Sequence, residues 1–209
     1  MSPLYGAAFL WLIAAILWWS GWREETTRNM PPWAVGLFLA AWPLACLGKV
    51  PIAGSVSVNG AWALTLLFVI LLLWRLPAAR KWTAASGGLL VGSISFLAGR
   101  LALLPSGFVS DAAAWAIAAL IGLLAALLLR SASEQILAIS VCLVLKEAAG
   151  AFLRAQADAP PELLPVEGLQ EWWIAVLGSR LWTAFADRAG DLVRKWAIKT
   201  GGGRGGQRS

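Results

Sequence analysis

The chain has 209 residues, of which 59% are hydrophobic and only 13% are charged. Soluble domains carry roughly a quarter charged residues, so this is the composition of an integral membrane protein, with no room left for a sizeable soluble catalytic domain. The formal net charge of +6 lies in links and in the tail, which points to anionic lipid headgroups and a positive-inside orientation rather than to nucleic acid.

The first apolar segment covers residues 3–22. It has no basic leader region, and Trp18, Trp19 and Trp22 stand where a signal peptide would have small residues, so it is expected to be a retained span. A charged link, 23–32, leads to a short second segment, 33–47, which carries Pro43. Proline removes a helical hydrogen bond and should kink it. The link 48–59 contains Pro51 and ends at Asn59-Gly60, which reads as a turn. A third segment, 60–76, and a basic link with Arg80 and Lys81 follow.

The fourth segment, 83–104, reads TAASGGLLVGSISFLAGRLALL. Gly88, Gly92, Ser95 and Gly99 fall on one helical face, and Gly88 and Gly92 form a GxxxG pair. Such a stripe lets a second helix approach closely, so this segment is expected to be a packing hub, with the sixth segment as its neighbour. Ser86, Ser93 and Ser95 can bond back to their own helix or across to a neighbour. After the link 105–110, in which Ser110 or Asp111 is a natural cap, comes the Ala- and Leu-rich fifth segment, 112–129. A short link, 130–134, makes a helical hairpin with the sixth segment, 135–153. An acidic, proline-bearing link, 154–168, precedes the last apolar stretch.

That stretch, 169–186, contains WWIAVLGSRLWTAFA and is interrupted by Arg180. From Arg180 onward the helical wheel splits. Leu181, Trp182, Phe185, Ala189, Leu192, Val193 and Trp196 face one way; Arg180, Thr183, Asp187, Asp191, Arg194 and Lys195 face the other. This is the pattern of an amphipathic helix at a membrane interface, continuing a short span. Arg188, Arg194, Lys195 and Lys199 are its candidate lipid-contacting residues. The expected organisation is all-α: a polytopic bundle of six to seven spans over 1–186, an amphipathic helix at the cytoplasmic interface over 187–200, and a Gly-rich tail, GGGRGGQRS, over 201–209.

Charge distribution orients the bundle. The first, third and fifth links carry Arg23, Arg28, Arg75, Arg80, Lys81 and Arg130, whereas the others carry only Lys49 and Arg154. Seven alternating spans would put the N-terminus outside and the basic tail in the cytoplasm of a bacterial cell. Tryptophans then form two belts, with Trp18, Trp19, Trp22, Trp33, Trp74, Trp82 and Trp182 inside and Trp62, Trp172 and Trp173 outside.

Three ionisable residues stand within apolar runs: Arg100, Lys146 and Glu147. Charge inside a membrane is costly and marks either a structural pair or a solute path. Counted from the segment ends, Arg100 and Glu147 lie at similar depth, so an ion pair between them is geometrically open; Lys146 would snorkel or bond a carbonyl. No histidine is present, no aspartate sits mid-span, and Cys46 and Cys142 share no metal-ligand spacing. Serine, aspartyl and zinc intramembrane chemistry all lack their residues, so no enzyme, cofactor or metal is expected.

The aromatic first span and its charged link, YGAAFLWLIAAILWWSGW then REETTR, together with length and multi-pass layout, resemble the small YphA-type membrane proteins of endospore-forming Firmicutes. The resemblance implies an inner-membrane protein linked to sporulation or spore-envelope assembly; it carries over no functional residues. Two functions follow as expectations. One is a scaffold or assembly factor with a membrane-protein partner. The other is a small transporter or channel component using Arg100, Lys146 and Glu147.

Overall fold

The computed structural model describes residues 3–22, 27, 30–53, 56–102, 111–156 and 164–201. The side chains of Arg100 and Lys199, the link 103–110 with Ser110, much of the acidic link and the tail 202–209 lie outside the described residues. The described chain is helical apart from one small hairpin: α1 Pro3–Trp19, α2 Pro32–Cys46, β1 Lys49–Ala53, β2 Val56–Asn59, α3 Gly60–Arg75, α4 Ala78–Ala102, α5 Asp111–Leu128, α6 Ala132–Gln156 and α7 Val166–Gly201.

The hairpin occupies what reads as an irregular link. β1 and β2 pair antiparallel with Lys49 opposite Asn59 and Val50 opposite Val58. Asn59 is not a turn residue. Its side chain accepts a 2.8 Å hydrogen bond from the Ala61 amide and so caps α3. Gly60 is required where it stands, because a Cβ there would lie 2.5 Å from the Ala45 carbonyl oxygen at the end of α2. The hairpin thus turns the chain back on α2 without spare length.

Contacts between helices fix their directions. α1 and α2 are antiparallel, with the Trp11 indole donating to the Leu39 carbonyl at 2.9 Å and Trp18 against Gly36. α2 and α3 are antiparallel through Phe38 on Phe68, ring centroids 4.6 Å apart. α4 and α6 run parallel, because Gly88 meets Ala138 and Gly92 meets Cys142 one turn further along both helices. α6 and α7 are antiparallel, and α1 runs parallel to α7, from Gly6 beside Gln170 to Trp22 under Arg188. Every helix therefore reverses the direction of the one before it.

The core is aromatic where α2, α3 and α7 meet. Trp42, Trp62, Phe38, Trp172 and Trp173 are all buried there. Trp62, Trp172 and Trp173 read from the sequence as an interfacial belt; they instead pack inward, and Trp62 donates at 3.0 Å to the Pro165 carbonyl just before α7. Trp19, Trp33, Trp74, Trp82 and Trp182 do face outward. The stretch read as a short span continued by an amphipathic helix is one unbroken helix, the 36-residue α7.

Candidate functional site

α6 is deeply enclosed over its first half. Residues 135–140 are buried without a break, and the polar ones among them, Gln135 and Ser140, face α7. Three polar contacts cross this interface in order, spread over about 16 Å at the rise of an α-helix. At one end Arg180, 6% exposed, donates from Nη1 to Gln135 Oε1 at 2.9 Å. Gln135, fully buried, donates from Nε2 to the Leu129 carbonyl at 2.8 Å and to Thr183 Oγ1 at 3.0 Å. Thr183 passes its own proton to the Ser179 carbonyl at 2.8 Å.

In the middle the Trp172 indole donates to Ser140 Oγ at 3.0 Å, and Ser140 donates to the Ile136 carbonyl at 2.8 Å. At the far end Lys146 Nζ meets Glu171 Oε2 at 2.5 Å, with the two side chains only 23% and 16% exposed. Lys146 thus has a carboxylate on α7 rather than a carbonyl of its own helix. Each tier is closed: the donors and acceptors named here satisfy one another, as buried polar groups must.

The α4 stripe packs on α6 at Ala138, Val141, Cys142 and Leu145. Gly88, Gly92 and Ser95 are buried, and a Cβ on Gly88 would sit 2.6 Å from the Ala138 carbonyl oxygen. Gly99 has nothing within 4 Å of such an atom. Ser86, Ser93 and Ser95 bond back to the carbonyls of Thr83, Leu89 and Val91. The parallel register of α4 and α6 brings the backbone at Arg100 to within about one turn of the level of Glu147. Arg80 meets Glu134 at 3.5 Å where α4 and α6 begin.

Beside the polar seam lies a cavity of about 80 Å³. Its walls come from α1, α2, α3, α6 and α7, and include Trp18, Phe38, Phe68, Trp172, Trp173 and Arg180. The indole nitrogen of Trp173 is buried with no hydrogen-bond partner among the described residues. Among the described residues no three His, Cys, Asp or Glu side chains gather as a metal site would require.

Gln135, Glu171 and Arg180 were not singled out by sequence reasoning as one system. Gln135 and Lys146 are eleven residues apart, three full helical turns, and therefore share a face; that spacing was the available signal. Arg180 misleads on the wheel because it lies with Asp187 and Asp191, yet it points inward while Leu181, Trp182 and Phe185 are exposed. No protein-family model, no curated protein and no solved structure matches this chain.

Proposed function

We propose that the chain is a multi-pass bacterial plasma-membrane protein, its seven helices crossing alternately with the N-terminus outside, and that it acts as a non-enzymatic scaffold or assembly factor. One observation carries the membrane reading: the outer surface of the helices is widely apolar while several polar side chains are enclosed. Large apolar side chains such as Phe9, Leu44, Leu67, Trp74 and Phe152 are exposed, while Gln135, Ser140, Ser95, Thr65 and Arg180 are buried. Water would punish that arrangement; a bilayer rewards it. The two helices long and apolar enough to cross, Ala78–Gly99 and Ala132–Leu153, have only 28% and 39% of their spanning windows buried, unlike core helices of a soluble protein.

The remaining helices are short, but strict reversal of direction supports their crossing together with these two. α7 supports the tail assignment. At 36 residues it is about 54 Å long, against roughly 30 Å of hydrocarbon, so its C-terminal third must leave the core. There Arg194 and Lys195 are exposed beside Leu192 and Val193, and Arg188 lies 4.5 Å from the Trp22 ring. That suits the anionic cytoplasmic leaflet. The resemblance to YphA-type proteins adds a role in sporulation to the proposal.

Topology is tested by cysteine labelling in intact cells. Ser106→Cys reacts with an impermeant maleimide from outside, and Ser131→Cys reacts only after permeabilisation. The reverse pattern would overturn the orientation, and release of the chain by alkaline carbonate would overturn the membrane reading. The scaffold role is tested by purifying intact complexes from sporulating cells; a solitary chain counts against it. The Lys146–Glu171 pair favours a second reading, solute or ion movement. Under that reading Glu171→Gln abolishes flux in proteoliposomes while the bundle still assembles.

A further inference from the structure

α3 and α4 are joined by only Leu76 and Pro77, yet neither is the other's main neighbour. α3 packs on α2 and α6, and α4 packs on α6 and α5. The two helices therefore diverge from their link with α6 behind both. Cations gather at this end. Arg75 closes α3, and Arg80 and Lys81 stand in the first turn of α4. Arg80 meets Glu134 in the first turn of α6 at 3.5 Å, and Arg130 lies four residues before Glu134 in the link from α5. Arg75, Arg80 and Arg130 are exposed. Glu134 is the one carboxylate that α3, α4 and the start of α6 bring to this end among the described residues. Four cations against one carboxylate leave a surplus of three positive charges.

The surface beside the cations is apolar. Leu67, Ile70 and Trp74 are exposed on one face of α3, and Trp82 and Leu89, two turns apart, are exposed on α4. Trp74 and Trp82 each adjoin a cation in the chain, as side chains at headgroup level do. An anion with hydrocarbon chains fits both features; a soluble anion uses only the first. We propose that this corner binds a phospholipid with two phosphates in its headgroup, of the cardiolipin type, in the cytoplasmic leaflet. The cations come from two separate links, and neighbouring helix axes stand about 8–10 Å apart. One phosphate satisfies the cations of one link; two phosphates on a shared glycerol reach both, through the charge-assisted bonds that guanidinium groups make to phosphate. The acyl chains then run along the apolar faces of α3 and α4. The site is separate from the cations of α7, and it rests on the membrane reading with this end cytoplasmic.

The test is native mass spectrometry of the full chain released from neutral detergent, with tetraoleoyl cardiolipin and dioleoyl phosphatidylglycerol added in turn. Cardiolipin should bind on the order of tenfold more tightly. Arg75→Gln with Arg130→Gln should lose most of that preference, although the acyl chains offered are the same. Arg75→Lys with Arg130→Lys should retain it, which separates loss of charge from damage to the fold. Arg194→Gln with Lys195→Gln should leave it unchanged, because those cations lie on α7. Neither inorganic pyrophosphate nor polyglutamate, at equal charge, should displace the bound lipid. Equal binding of the two lipids would overturn the site, as would an undiminished preference in the Arg75→Gln, Arg130→Gln chain. Displacement by pyrophosphate would assign the corner to a free phosphate, and displacement by polyglutamate to an acidic protein; either overturns the lipid site. None of these results touches the membrane reading, which fails instead if alkaline carbonate releases the chain.

Discussion

Arg180 on α7 donates to Gln135 on α6 at 2.9 Å, and Gln135 spends its own amide protons on the Leu129 carbonyl and Thr183. A neutral amide thus holds a buried cation by its oxygen and the backbone by its nitrogen. Gln135→Leu removes both functions and leaves an apolar side chain against the guanidinium. The expected loss is about 2 kcal/mol, the range for hydrogen bonds to charged groups. Ser140→Ala, which removes a neutral acceptor from Trp172, should cost nearer 0.6 kcal/mol, the average for polar pairs between membrane helices. Unfolding by SDS in mixed micelles compares the two. Equal losses would mean that the charge of Arg180 adds nothing to the contact.

Gly88 and Gly99 belong to the same stripe but meet different surroundings. A methyl group at Gly88 would press on the Ala138 backbone, which cannot move aside without parting α4 from α6. Gly88→Ala should therefore destabilise by about 1–3 kcal/mol, the range for overpacking. Gly99→Ala meets open space and should be neutral, or stabilising by up to about 1 kcal/mol through helix propensity. Micellar unfolding of both variants checks this. A loss at Gly99 as large as at Gly88 would mean that the stripe is packed along its whole length.

These contrasts mark what the sequence could reveal. Helix positions were legible because hydropathy and proline placement are local properties of the chain. α4 begins five residues earlier than its apolar run because Arg80 and Lys81 end a hydropathy window but not a helix. The hairpin at Lys49–Asn59 was not legible, since its strands are too short to display an alternation and Asn59-Gly60 is a turn signal and a cap at once. The glycine face identified a close neighbour because small residues have one dominant use between helices. The seam was not legible as a unit. Lys146 with Glu171, and Gln135 with Arg180, are non-local pairs, and nothing in the spacing of α6 names their partners on α7.

Lys146 and Glu171 carry opposite charges in a half-buried setting, which gives a double-mutant cycle a clear expectation. Lys146→Met or Glu171→Gln alone leaves one charge without the partner it has in the wild type. The two together remove the problem as well as the bond. Each single variant should lose more stability than the double, with a coupling energy of about 1–3 kcal/mol. The cycle is measured by micellar unfolding at constant ionic strength. Additive losses would show that the pair is screened like a surface ion pair.

The last third of α7 carries its own prediction. Arg188, Arg194, Lys195 and Lys199 lie on a segment whose Leu192 and Val193 are 59% and 69% exposed. A polybasic segment gains roughly 1 kcal/mol per cation near an anionic surface, and salt screens that gain within a Debye length of about 10 Å at 0.1 M. The full chain is placed in nanodiscs with an environment-sensitive dye attached through Val193→Cys. In discs containing phosphatidylglycerol the dye should shift to the blue relative to phosphatidylcholine alone, and high salt should reverse the difference. Replacing the four cations by glutamine should abolish it while the dye in neutral discs is unchanged. If the shift is the same in both discs and indifferent to salt, burial of Leu192 and Val193 holds the helix at the interface and the cations do not.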